Sequence, residues 1–139
     1  MKNRTVIVAG ATGLVGKEIL HGLLNDSSVS EVHSLGRRRP AVEHPKLRAH
    51  VVDFAALPSL PASDEVYLAL GTTIKVAGSQ EAFRAVDYDA NLAVAKAALA
   101  AGAVKAGIVS AMGADSRSGV FYSRVKGELE DALDRKSVV

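Results

Sequence analysis

Residues 5–16 read TVIVAGATGLVG, and the expected fold follows from them. Residues 5–9 are a short apolar, β-branched run ended by glycine, the pattern of a parallel strand buried on both faces. Beyond the glycines, Leu14, Val15, Ile19, Leu23 and Leu24 recur at helical spacing, and breakers fill residues 25–28. The order is strand, turn, helix. Gly10, Gly13 and Gly16 form GxxGxxG across that turn. The first glycine permits the tight turn, the second lets backbone amides approach a pyrophosphate, and the third allows close helix-to-strand packing. The helix start, Leu14 and Val15 included, offers free amides and a positive dipole end to a diphosphate, and Thr12 adds a hydroxyl. A glycine turn that merely packs is the plainer alternative. Placement between an apolar strand and an amphipathic helix favours the nucleotide.

Further strands are expected at residues 32–35, 47–52, 66–70 and 104–110. Helices are expected at 80–101, which is rich in alanine, and at about 120–133, with a polar loop over 36–45. Strands alternating with helices imply βαβ units with right-handed crossovers. The expected fold is α/β, a Rossmann-like doubly wound parallel sheet in three layers. That fold normally uses six strands in the order 3-2-1-4-5-6. Five are accounted for, with residues 137–139 at the place where a sixth would begin. The expectation is therefore a single NAD(P)-binding domain over residues 1–139, a truncated version of a longer polypeptide that lacks the substrate-binding portion.

The 139 residues are 48% hydrophobic and 23% charged, an ordinary globular mix that can close one core. Cysteine is absent. That excludes a disulfide framework, a thiol nucleophile and a cysteine-ligated metal, and it points to a reducing compartment. No run approaches the roughly 18 apolar residues of a membrane span, and the apolar run from Val6 stops at Gly10, too soon for a signal peptide. A soluble, cytoplasmic protein without membrane contact is expected. The net charge of +2, with three Tyr, three Phe and no Trp, gives no basic stripe interleaved with aromatics, so nucleic acid is not an expected partner.

The second strand selects the nucleotide. About 20 residues beyond the glycines, NAD-preferring sites place an acid for the ribose hydroxyls, whereas an arginine accommodates the 2′-phosphate of NADP. Here the sequence is LGRRRP, with Gly36, Arg37 and Arg38 at that place. Guanidinium groups pair bidentately with phosphate oxygens, so NADP(H) is the expected cofactor; a solvated basic loop is the alternative. Two roles are open to Asp53: accepting from an adenine amino group, with Phe54 beside the ring, or capping a helix. Gly71, Thr72 and Thr73 follow the fourth strand at the carboxyl edge of the sheet, where open α/β folds bind ligands. A simple turn would also account for them.

Tyr122 and Lys126 form YxxxK on one face of the last expected helix, and Ser110 ends the fifth strand. Carbonyl reduction by hydride leaves negative charge on the substrate oxygen, which a phenol can protonate and a serine hydroxyl can hydrogen-bond. A free tyrosine titrates near ~10, so the Lys126 ammonium is needed to draw it toward working pH. His21, His33, His44 and His50 do not cluster with carboxylates at ligand spacing, so no metal site is expected.

GATGLVG, the Arg37 and Arg38 pair, LGTTIKVAGS at 70–79, FRAVDYD at 83–89, VSAMGAD at 109–115 and FYSRVKGELE at 121–130 resemble the atypical short-chain dehydrogenase/reductases. Within them they resemble the branch of the Tat-interacting protein and its bacterial oxidoreductase relatives. The resemblance implies a Rossmann domain in which Gly10, Gly13 and Gly16 cradle the diphosphate and Arg37 and Arg38 hold the 2′-phosphate. It implies Ser110, Tyr122 and Lys126 as the catalytic set, and helices that pack into a homodimer. Asp87 stands where many relatives carry a relay asparagine. The expected function is an NADPH-dependent oxidoreductase acting on a carbonyl or conjugated small-molecule substrate; the alternative is an NADPH-binding sensor that works through a protein partner without turnover.

Overall fold

The computed structural model describes residues 3–71, 78–108 and 128. Five parallel strands form one sheet: β1 (Arg4–Ala9), β2 (Val29–Gly36), β3 (Leu47–Val51), β4 (Glu65–Leu68) and β5 (Lys105–Ile108), in the order β3-β2-β1-β4-β5. This is the expected doubly wound order as far as the fifth strand. Helix α1 (Leu14–Leu24) connects β1 to β2. Between β4 and β5 a continuous helix comprises α2 (Gln80–Arg84), a π-helical segment (Ala85–Ala90) and α3 (Asn91–Ala100).

Central position explains the composition of β1. Val6 and Val8 point to one face and Ile7 and Ala9 to the other, and all four are fully buried. On the first face they pack with Leu20, Leu23 and Leu24 of α1 and with Val29 and Val32. On the second they join Leu35, Val66 and Leu68 with Val94, Ala95 and Ala98 of α3. The connections after β2 and β3 are irregular. Pro58 and Pro61 suit the second of these to a non-helical course, and Phe54, Leu57 and Leu60 still pack on the second face.

At the amino edge of the sheet, Arg4 joins the strands through one guanidinium. It donates to Glu65 Oε2 at 2.5 Å, Asp26 Oδ2 at 3.0 Å and Ser28 Oγ at 2.9 Å, while Tyr67 donates to Glu65 Oε1 at 2.9 Å. Glu65, buried in β4, was outside the expected strand. The Ser28 hydroxyl and amide hold the Asp26 carboxyl below its ordinary value, with Arg4 and Lys46 adding to the effect. A carboxyl held low in the fold stabilises it above the unfolded value and loses that contribution as pH falls through the folded one. Chemical denaturation of the wild type is thus expected to become easier from about pH 5 downward, and Asp26→Asn should flatten that part of the profile.

Candidate dinucleotide site

The turn between β1 and α1 opens onto a cavity of about 510 Å³ at the carboxyl edge of the sheet. Gly10, Thr12 and Gly13 line it from the turn, and Gly36, Arg37 and Arg38 from the end of β2. Asp53 and Phe54 follow β3, and Leu70 and Gly71 follow β4. Apart from Leu70, these are residues singled out in the sequence, and from four separate segments they converge on one space. Leu14 and Val15 do not line it; they are exposed at the start of α1. Ser110, Tyr122, Lys126, Thr72 and Thr73 lie outside the described residues.

The three glycines differ in what constrains them. Gly10 has a φ of +90°, and a Cβ there would stand 2.5 Å from the Ala69 carbonyl oxygen. For Gly16, a Cβ would meet the Gly10 carbonyl oxygen at 2.0 Å. Both are fixed by packing of the chain on itself. Gly13 is not: its φ of −76° and ψ of 170° suit any residue, and its nearest neighbour, Gly10 O, would lie at 3.5 Å from a Cβ. As the N-cap of α1, Gly13 supplies no side-chain hydrogen bond, and the first turn carries no acidic residue. Among the described residues no side chain caps the opening amides at the positive end of the helix, as an anion would require.

Asp53 accepts the Ala55 amide at Oδ1, 2.9 Å away, so its carboxylate caps a turn rather than a helix while bordering the cavity. Sequence reasoning missed the opposite wall, where Ala85, Val86, Asp89 and Ala90 project from the π-helical segment. The segment overlaps the FRAVDYD motif, and π-type insertions are frequent at functional sites. Asn91 was also missed: buried at the start of α3, it donates from Nδ2 to the Leu70 carbonyl at 3.0 Å and so fixes a cavity residue. A contact that sequence spacing did not reveal joins two of the histidines to a carboxylate: His33 Nε2 lies 2.5 Å from Glu31 Oε1 and its Nδ1 lies 2.9 Å from His50 Nε2. Parallel pairing of β2 with β3 brings these rings together. Among the described residues no group of three His, Cys, Asp or Glu could hold a metal ion, and no helix is long and apolar enough to cross a membrane.

No family model matches the chain. It is 36% identical over 135 residues to the protein FMP52-1, mitochondrial, of Scheffersomyces stipitis, covering 93% of this chain and 60% of the relative. It is 36% identical over 141 residues to the protein HTATIP2 of Rattus norvegicus, covering 96% and 58%. The chain thus spans about three-fifths of the length of these curated relatives. Among solved structures, MoeE5 in complex with UDP-glucose and NAD superposes with a TM-score of 0.76 at 18% identity, over 92% of this chain and 47% of that one. The Bordetella bronchiseptica enzyme WbmG in complex with NAD gives 0.75 at 15%, over 99% and 51%.

Two expectations are overturned. Neighbours whose dinucleotide is named carry NAD, which corrects the expectation of NADP(H). Physically, Arg37 and Arg38 are exposed at the cavity mouth. A guanidinium there can pair with either phosphate of a diphosphate and does not require a third. The cytoplasmic expectation falls because fungal relatives are named as mitochondrial; composition reports redox environment and membrane spans, whereas an address is read by receptors. The sheet order, the glycine turn and the similarity over nine-tenths of the chain agree: this is a Rossmann-fold protein related to the FMP52 and HTATIP2 (Tat-interacting) proteins.

Proposed function

We propose that residues 1–139 form one domain that binds NAD(H) and serves an oxidoreductase of the short-chain dehydrogenase type, acting on a carbonyl or conjugated small molecule. The observation that carries this is Gly13, a glycine that the fold does not itself demand, at the uncapped start of α1 and beside a 510 Å³ cavity. The amides opening α1 would hold the diphosphate, with Thr12 beside them. Arg37 and Arg38 would add positive charge, and Asp53, Phe54 and Leu70 would enclose the adenine. When bound, the nicotinamide supplies or accepts a hydride. Tyr122 would give the substrate oxygen its proton, Ser110 would hydrogen-bond that oxygen, and Lys126 would lower the phenol's pKa through its positive charge.

Binding is tested by thermal unfolding with added NAD. At about 100 times the dissociation constant, a single site should stabilise the chain by roughly 2.7 kcal/mol, and no shift at any concentration would refute the reading. Arg37→Ala and Arg38→Ala should each weaken NAD by about 3- to 10-fold, less at high salt, because exposed charges are screened. Turnover is tested with NADH and a carbonyl panel against a Tyr122→Phe control. Binding with no oxidation above that control would favour a regulatory role.

A further inference from the structure

The sheet carries a hydrogen-bonded chain of ionisable side chains that the dinucleotide site does not use. Residues 31, 33 and 35 of β2 share the sheet face on which Leu35 packs. Glu31 and His33 meet there at 2.5 Å, and His33 Nδ1 meets His50 Nε2 of β3 at 2.9 Å, the two rings stacked 5.1 Å apart at 29°. His33 is 6% exposed.

The donors and acceptors fix the arrangement. An ionised carboxylate only accepts, so His33 holds a proton on Nε2 and offers a lone pair at Nδ1, which takes the Nε2–H of His50. A first extra proton, on His50, keeps a single N–H between the rings but places a cation in a part-buried site against the His33 ring, which Glu31 offsets only in part. A second is worse. It would set N–H against N–H across 2.9 Å and place two cations beside one carboxylate, which Arg48 Nε already approaches at 3.9 Å. From the segment after β3, Phe54, Leu57 and Leu60 pack against the core on this face.

We propose that Glu31, His33 and His50 form a proton-sensitive clasp between β2 and the edge strand β3, positioning the end of β3 where Asp53 and Phe54 enter the cavity. The consequence for NAD rests on the function proposed above; the clasp itself does not. Burial and the adjacent His33 push the His50 pKa below its ordinary value, with Glu31 opposing them. A histidine held low favours its neutral form in the fold, so its stabilisation is complete above the ordinary histidine range and is lost as pH falls toward the folded value.

The test compares amide hydrogen exchange in residues 47–52, corrected for intrinsic rates, and NAD titrations at about pH 7.5 and 5.5. Wild type and His50→Gln are compared, since the glutamine amide can donate to His33 Nδ1 without titrating. In the wild type, β3 protection should fall by roughly tenfold on acidification and NAD should weaken several-fold, while both remain flat in His50→Gln. Unchanged β3 protection in the wild type, or an equal fall in His50→Gln, overturns the clasp. So does a wild-type His50 whose ring ¹⁵N shifts titrate at or above the ordinary value, a readout that needs no variant. Exchange is read without ligand, so absence of NAD binding at both pH values would refute the cavity assignment and leave the clasp to be decided by β3.

Discussion

Gly13→Ala is expected to fold like the wild type and to lose most of its affinity for NAD. The backbone there has ordinary extended angles, and among the described residues the added methyl would meet only Gly10 O, at a comfortable 3.5 Å. With no described neighbour to resist it, the melting temperature should change by no more than about 2 °C. The methyl instead enters the space where a diphosphate must approach the amides opening α1. Lengthening those contacts should weaken binding by roughly 100-fold, about 2.7 kcal/mol. Calorimetric titration beside a thermal melt checks both halves. A variant that binds NAD as tightly as the wild type would show that the turn is not a diphosphate cradle.

Gly16→Ala should do the reverse, harming the fold first. Its methyl would stand 2.0 Å from the Gly10 carbonyl oxygen, a backbone atom that cannot swing aside, so α1 must retreat from β1. Overpacking of this kind costs about 1–3 kcal/mol, and the retreat would also loosen Leu20, Leu23 and Leu24 from Val6 and Val8. Urea denaturation should show a lower midpoint with an unchanged slope. Any loss of NAD affinity should follow the loss of stability, in contrast to Gly13→Ala. A Gly16→Ala chain as stable as the wild type would contradict the close approach of helix and turn.

Local chemistry made part of this legible in the sequence. Helix α1 ends where breakers stand, and Val6 to Ala9 of β1 are an unbroken apolar run because a helix covers each face of the strand. What escaped depended on partners distant in the chain. The expected fourth strand began at Val66, one residue late, because Glu65 is accommodated in it by Arg4, 61 positions away. The expected β2 began at Val32, but Val29 already pairs with Arg4, and this parallel register is invisible along one segment. Likewise the π-helical turn that places Val86 and Asp89 on the cavity has no periodic signature in the sequence. The glycines and arginines of the site were readable because each serves a backbone or phosphate requirement of its own. Asn91 was not, because its role is to hold Leu70. The cofactor inference failed at Arg37 and Arg38 because a guanidinium recognises phosphate without counting how many the ligand has.

NAD is expected to seat in the β1–α1 turn and the cavity beside it. Titration of the ¹⁵N-labelled chain with NAD, followed by amide chemical shifts, tests this residue by residue. Saturable shifts should concentrate at Gly10, Thr12, Gly13, Leu14 and Val15, at Arg37, and at Phe54 and Gly71. No shifts up to millimolar NAD, or saturable shifts confined to other parts of the sheet, would contradict it.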